Sequence, residues 1–311
     1  MFRKSPEYVV ENKERQLLES GTLYKKVIQT TQHALECGAL VSIPTDFEFV
    51  ESGGVYFLVR ILTNLIRKDK AKKKQDKDFN PFLPYEKDLF VENISDTHVC
   101  ILNKYNVVEN HLLIVTRAFE EQESLLTLED FSAMSVGLSQ IDGLVFYNGG
   151  KVAGASQRHK HLQLVPLPLT SHGEQIPIES LFTNNSELQV NPEVNPEFNL
   201  TFNQIPGLPF LHSFLELETN WVNSPLKVWE YYCQILEGFN LVNGKNTADA
   251  YNLLVTRKWM LIVPRKAEKF QGISVNSLGF AGCLLVRNQE EMKILKDFGA
   301  INVLQSIAFE R

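Results

Sequence analysis

Gly154-Ala155-Ser156-Gln157-Arg158-His159-Lys160-His161-Leu162-Gln163-Leu164-Val165-Pro166 is the stretch on which the reading of this chain turns. His159 to Val165 reads as a β-strand, closed by Pro166 and Pro168, which offer no N–H to a sheet ladder. Side chains alternate across a strand. His159, His161 and Gln163 therefore share one face, and Leu162 and Leu164 take the other, toward a core. Two imidazoles and an amide in a row make a polar stripe foreign to an ordinary core strand. Upstream, Asn148-Gly149-Gly150 and Gly154-Ala155-Ser156 supply small residues where backbone can approach a ligand. Successive N–H groups from Gly154 through Ala155 and Ser156 to Gln157 would form a concavity suited to phosphate. Imidazoles at this spacing fit metal ligation, covalent or acid–base chemistry, or a structural role. No Cys, Asp or Glu lies between Lys151 and Thr170, so the stripe has no evident third metal ligand.

Working outward, 311 residues are long for one module and suggest a large domain or two fused ones. The net charge of −6 gives no electrostatic footprint for duplex nucleic acid, so phosphate binding must be local. Cys37, Cys100, Cys233 and Cys283 show no C-x-x-C spacing and read as buried thiols in a reducing compartment. The start lacks the apolar run of a signal peptide and no stretch is long enough to span a membrane, so a cytoplasmic protein without membrane partners is expected.

Residues 5–37 look helical, with Gly38 as a stop. Two strands flank the turn Ser52-Gly53-Gly54, and a basic run from Arg67 to Lys77 follows. Thr97–Leu102, Val107–Val108 and Leu112–Thr116 read as strands, with Asn103 to Tyr105 in a turn. Leu126–Leu144 reads as a helix, with Thr127 as N-cap and Asp130 as its capping-box partner. Val145–Tyr147 then delivers Asn148 to the loop. Residues 171–209 carry turn signals and read as an irregular connector between an N-terminal half, 1–170, and a C-terminal half, 210–311. In the second half Phe210–Leu217 reads as a strand holding a core His212, followed by a helix over 225–239 and strands at Tyr251–Thr256 and Trp259–Pro264. A closing helix over 290–309 breaks near Gly299. His111–Arg117 and Tyr251–Arg257 share an apolar run and a Thr-Arg ending, the faint echo of a duplication.

His159-Lys160-His161-Leu162-Gln163-Leu164-Val165 resembles the His-x-His-x-Gln signature of the nucleotidyltransferase branch of the histidine triad superfamily, whose hydrolase branch usually has a third His at the Gln163 position. Asn80-Pro81-Phe82, Asn103-Lys104, His111–Thr116, Phe146-Tyr147-Asn148 and Asn276–Phe280 fall in the order seen in ATP adenylyltransferases, the diadenosine tetraphosphate phosphorylases. The resemblance implies an α+β fold of duplicated histidine-triad-like units, with antiparallel sheets flanked by helices. It further implies substrate contacts from Lys68, Asn103, Lys104, Asn148, Asn276, Ser277 and Leu278. Cys283 and Arg287 stand where the family places a Met and a Lys.

On this reading His161 is the nucleophile, its tautomer fixed by a backbone carbonyl, and His159 is a supporting donor to that frame or to the leaving group. Gln163 and the N–H groups of the 154–157 loop hold the phosphoryl oxygens. The implied reaction takes diadenosine tetraphosphate and phosphate to ATP and ADP, reversibly, through an adenylyl–histidine. Magnesium or another divalent cation arrives with the nucleotide, and no tightly bound cofactor is expected. A hexose-1-phosphate uridylyltransferase-like enzyme, a dinucleoside polyphosphate hydrolase and a non-catalytic nucleotide sensor stay open as alternatives. The oligomeric state is not legible.

Overall fold

The computed structural model describes residues 21–62, 80–183, 189–190, 203–218 and 220–311. The basic run with Lys68 and the first part of the N-terminal helix-like segment lie outside the described residues.

The chain opens with α1 (Thr22–Glu36), which Gly38 ends by adopting a left-handed φ of 77°. The hairpin β1 (Thr45–Ser52) and β2 (Val55–Leu62) follows, turning through Gly53 and Gly54. Next come β3 (Phe90–Glu92), β4 (His98–Leu102), β5 (Leu112–Thr116), α2 (Leu128–Gln140), β6 (Gly143–Gly149) and β7 (His161–Pro166). The second part supplies two-residue strands β8 (Gln189–Val190) and β9 (Asn203–Gln204), then β10 (Ser213–Glu216) and α3 (Leu226–Gly238). After these come β11 (Tyr251–Val255), β12 (Trp259–Pro264), α4 (Ser277–Phe280), β13 (Cys283–Val286), α5 (Gln289–Phe298) and α6 (Ala300–Ile307).

Ten strands form one antiparallel sheet in the order β3-β4-β5-β7-β6-β11-β12-β10-β9-β8. Strands from before and after the connector meet where β6 pairs with β11, Asn148 lying opposite Asn252. A smaller sheet orders β1-β2-β13, with β2 and β13 parallel. The mixed α+β architecture, antiparallel in its main sheet and flanked by helices, is the one expected.

Both faces of the large sheet are covered, which explains its nearly continuous apolar strands. On one face Leu162, Leu164, Val145 and Tyr147 pack with Phe131, Met134 and Leu138 of α2 and Tyr232 of α3. On the other, Leu144, Phe146 and Val165 pack with Phe57 and Val59 of β2 and Leu304 of α6. A separate cluster, Phe82, Val99, Ile101, Leu113 and Val115, covers that second face farther along. In the register of β7, His161 lies opposite Val115, and Gln163 lies between Leu113 and Phe146. The polar stripe thus runs along the seam between two apolar clusters.

Several boundaries differ from the sequence reading. β7 begins at His161, because residues 158–160 pair with the segment around Glu120–Gln122 (Lys160 N–H to Glu120 O, 2.8 Å; Gln122 N–H to Arg158 O, 2.7 Å). Pro166 is the last residue of β7, opposite Gly143, rather than outside it. Val107–Val108 is no strand: the Asn106 side chain donates to Val108 O at 2.9 Å and folds it into a turn. The expected helix over 126–144 is α2 alone, since Ile141 is already extended. The connector is not wholly irregular, because β8 and β9 extend the sheet from within it. Cys100 is buried and Cys233 and Cys283 are partly buried, whereas Cys37 at the end of α1 is exposed. The capping box at Thr127 and Asp130, the core His212 and the break at Gly299 all take the expected form.

Candidate active site

β7 presents the His161 ring beside Phe82, with ring centroids 5.1 Å apart. Its Nδ1 lies 2.8 Å from the carbonyl oxygen of His159, which assigns the proton to Nδ1 and leaves the Nε2 lone pair unprotonated. Burial pushes the pKa of this imidazole down to about 4, outweighing the His159 carbonyl that favours the cation. At neutral pH His161 is therefore an uncharged base whose Nε2 has no hydrogen-bond partner among the described residues.

His159 faces its own frame. Its Nε2 lies 2.9 Å from Thr116 O and 3.2 Å from Ala118 O, so it donates to backbone. Its Nδ1 receives the Asn80 Nδ2 amide at 3.0 Å, while Asn80 Oδ1 accepts Phe82 N–H at 2.9 Å. Of the two roles expected for His159, the geometry places it in the frame.

Gln163 is bound to a third imidazole that the stripe does not contain. His111, the residue before β5, sets Nε2 2.9 Å from Gln163 Oε1, and Asn103 Nδ2 lies 3.3 Å from His111 Nδ1. Burial pushes His111 down to about 4, so the ring is neutral and donates through Nε2. This chain of donors directs the Gln163 carbonyl inward and leaves its NH2 group as the outward-facing donor. Gln122 does similar work on the backbone. Its amide accepts His161 N–H at 3.0 Å and donates to Asn148 O at 3.0 Å and His161 O at 3.2 Å, bridging β6 and β7 beyond their last paired residues.

Lys160, between the two histidines, points to the helical face and is 1% exposed. Its Nζ reaches Asp130 Oδ2 at 2.6 Å, Glu120 Oε2 at 2.9 Å and Leu125 O at 3.0 Å. Asp130 also holds His98 Nε2 at 2.9 Å and Thr127 N–H at 2.7 Å. Burial drives the Asp130 carboxyl upward, but the His98 hydrogen bond and the Lys160 charge outweigh it and hold the group below its ordinary value. Capping residue and the His159–His161 segment are thereby one unit.

The loop after β6 is shaped more by packing than the sequence suggests. A Cβ on Gly149 would meet Tyr251 at 2.8 Å, and one on Gly150 would meet Glu123 at 2.9 Å. Gly154, at φ 94°, abuts Val275 O and Asn276 Cα. Gly154 N–H and Ala155 N–H turn inward to Lys151 O and Gly150 O, at 3.0 and 3.1 Å. They are not phosphate donors in this conformation, which narrows the expected cradle to Ser156 and Gln157.

Asn148 and Ser277 belong to the frame as well. Asn148 Oδ1 accepts Ser277 N–H at 2.9 Å, Ser277 Oγ at 2.8 Å and Asn252 Nδ2 at 3.0 Å. Ser277 is fully buried, so it has no surface to offer a substrate. Arg265 backs this clamp, donating to Asn252 Oδ1, Val275 O and Ala267 O from a nearly buried guanidinium. Asn276 caps α4 through Leu278 N–H at 3.1 Å, and Asn276 and Leu278 keep partial exposure. Lys104 pairs with Glu86 at 2.5 Å. Arg287 is bound to Glu291, its Nε 2.6 Å from Glu291 Oε1, with its side chain partly exposed. Cys283 lies on β13 opposite Leu58, its thiol pushed up to about 12 by burial. Asn80, His111, Gln122, Lys160, Asp130, Asn252 and Arg265 are the site residues that sequence reasoning missed as such. Of these, Asn80, His111, Lys160 and Asn252 stood inside quoted stretches, and Asp130 was read only as a helix cap.

A neutral imidazole beside an amide, on an antiparallel sheet covered on both faces, is an arrangement chemically suited to nucleotidyl transfer. Residues 13–184 match the family model described as the Ap4A phosphorylase N-terminal domain, and residues 206–310 match the one described as the ATP adenylyltransferase C-terminal domain. The chain belongs to this Ap4A phosphorylase family of enzymes. Diadenosine 5',5'''-P1,P4-tetraphosphate phosphorylase 2 of Saccharomyces cerevisiae is 28% identical over 260 residues, 75% of this chain and 76% of that protein. Protein APA1 of the same yeast is 28% identical over 211 residues, 61% of each. The crystal structure of yeast Ap4A phosphorylase Apa2 in complex with AMP matches with a TM-score of 0.75 at 25% identity, covering 94% of this chain and 97% of that one. Among the described residues no helix is long and apolar enough to cross a membrane.

Proposed function

We propose that this chain catalyses reversible phosphorolysis of diadenosine tetraphosphate to ATP and ADP, with the adenylyl group carried on His161 between two displacements. The observation that carries the reading is the His161 Nδ1 hydrogen bond to His159 O at 2.8 Å, in a buried ring that stays neutral. Yeast Apa2, similar in fold, has been crystallised with AMP and with Ap4A, which supports adenine nucleotides as substrates here.

In the first displacement His161 Nε2 attacks an α-phosphorus. A P–N bond forms, the bond from that phosphorus to the bridging oxygen breaks, and ATP leaves. In the second, an oxygen of inorganic phosphate attacks the same phosphorus, the P–N bond breaks, and ADP leaves with the imidazole restored. Splitting one hard transfer into two easier ones is the gain of covalent catalysis. The Gln163 NH2 group and the N–H groups of Ser156 and Gln157 stabilise the developing charge on the phosphoryl oxygens. His159 and Asn80 keep the ring plane fixed. Asn276 and Leu278 form the partly exposed edge assigned to nucleotide, and Asn103 acts through His111. A divalent cation enters bound to the polyphosphate, where it neutralises charge, and the chain needs no cage for it.

Gln163 favours phosphate over water as the second nucleophile. A primary amide cannot take up a proton near neutral pH, whereas an imidazole can. Water needs that help; phosphate is already anionic. Incubating the protein with diadenosine tetraphosphate should give ATP and ADP, strongly accelerated by phosphate. α-Labelled ATP should leave acid-labile, alkali-stable label on the protein, lost in His161→Ala while nucleotide binding survives. Release of AMP at an undiminished rate in phosphate-free buffer would replace this reading with a hydrolase.

A further inference from the structure

Away from the catalytic strand, three unlike donor groups meet at the surface. His33 and Cys37 stand four residues apart at the end of α1, the spacing that puts both on one side of a helix. Asp88 faces them from the single turn Lys87–Leu89 that precedes β3. His33 Nε2 and Asp88 Oδ1 are 2.8 Å apart, and the nitrogen, sulfur and oxygen donors all lie within 4.8 Å of one another.

This juxtaposition is held by the fold. Cys37 N–H bonds to His33 O at 3.0 Å, and Leu40 N–H bonds to Ala34 O at 2.9 Å, which fixes the end of the helix. Leu89 N–H bonds to Glu86 O at 3.1 Å, which fixes the turn. Leu23, Val27 and Ala34 of α1 share one core cluster with Leu89 and Val91, and Lys26 pairs with Glu92. The distance between the two backbones is thus set by packing and does not depend on the exposed side chains themselves.

We infer that His33, Cys37 and Asp88 bind one zinc-class divalent cation, which clips the end of α1 to the turn before β3. The donor set names the metal class. A thiolate and an imidazole favour zinc and its neighbours, whereas magnesium and calcium take oxygen ligands. Zinc bonds of about 2.0–2.3 Å to these atoms place tetrahedral donors roughly 3.3–3.8 Å apart, so side-chain rotation of about an ångström closes the site. The thiol, now 3.7 Å from Ala34 O, gives up its proton on binding, and a water completes four-coordination. The residues following the clip pair with the turn beside the active site, Val41 N–H with Lys104 O and Ile43 N–H with Asn106 O. The cation therefore stiffens a segment that borders Asn103 without joining the chemistry.

The test uses the full chain without an affinity tag, reduced and stripped of metal, titrated with cobalt(II) and with zinc chloride against a chromophoric chelator. One equivalent of cobalt should give a near-ultraviolet thiolate charge-transfer band, and zinc should displace it and raise the Tm. Cys37→Ser should remove the band and the Tm rise, and His33→Ala and Asp88→Asn should each weaken binding by about tenfold or more. All three positions are exposed, and circular dichroism of each variant checks that it folds. The inference is overturned if no band forms, or if the band survives Cys37→Ser and so belongs to another cysteine. Loss of binding in His161→Ala would also overturn it, placing the metal on the catalytic strand.

Discussion

Replacing Lys160 by Met tests whether the catalytic strand is anchored from behind. Lys160 and Asp130 are each 1% exposed and 2.6 Å apart, so the substitution strands a carboxylate that the fold has already removed from water. Breaking one partner of a buried pair costs about 3–5 kcal/mol. Two features keep the cost at the low end. The Met stem fills the volume of the Lys stem, and Asp130 keeps Thr127 N–H at 2.7 Å and His98 at 2.9 Å. Glu120, 40% exposed, simply returns to water. A loss of about 3 kcal/mol is expected from urea unfolding, with kcat falling because His159 and His161 flank the altered residue. Lys160→Met with Asp130→Asn should then cost less than the two single changes summed, by about 1 kcal/mol or more. A single-variant cost below about 1 kcal/mol, or strict additivity, would show that the pair anchors nothing.

Gln163→Ala should raise the barrier by about 1–3 kcal/mol, about a fivefold to 150-fold loss in kcat in both directions, and His111→Phe should follow it at lower magnitude with KM little changed; equal effects on KM alone would refute the orienting role. Acid should destabilise the fold between pH 6.5 and about 4, because His111, His161 and His212 are pushed down to about 4 by burial while the unfolded chain protonates near the ordinary 6.5. The unfolded state binds more protons in that window, so stability is full above it and falls as pH drops through it, by up to roughly 3 kcal/mol per imidazole; urea midpoints that stay flat would contradict this. Gly154→Ala should lower Tm and raise KM together, since its φ of 94° and a Cβ 2.8 Å from Val275 O force the loop off Asn276, at a cost of about 2 kcal/mol or more. Unchanged thermal melting would show that the loop yields without strain.

What the sequence revealed follows the range of each signal. Alternation along His159–Val165 is a property of neighbours, so the shared face of His161 and Gln163 could be read directly. So could the capping box, which spans three residues. The strand's true start at His161 could not, because it depends on a competing partner at Glu120–Gln122. The glycines of the loop suggested room for a ligand, but Tyr251, Glu123 and Asn276 fill that room from distant parts of the chain. Ser277 and Asn148 were read as separate substrate contacts from two motifs, and their bonds run to each other. Lys160 had no reading of its own within the motif, because its partner Asp130, legible only as a cap, lies thirty residues upstream. His111 carried no stripe of its own, and only the sheet register sets it against Gln163.

The pairing of β6 with β11 makes this enzyme a natural candidate for fragment complementation. A chain divided within residues 191–200 would yield two pieces, each with an unpaired sheet edge, Val145–Gly149 on one and Tyr251–Val255 on the other. Produced alone, each piece should aggregate or misfold, since an apolar central strand becomes an open template. Produced together, they should zip along that edge and rebuild the Asn148–Asn252–Ser277 clamp. Phosphorolysis would then return with second-order kinetics, and its rate would report the meeting of two polypeptides.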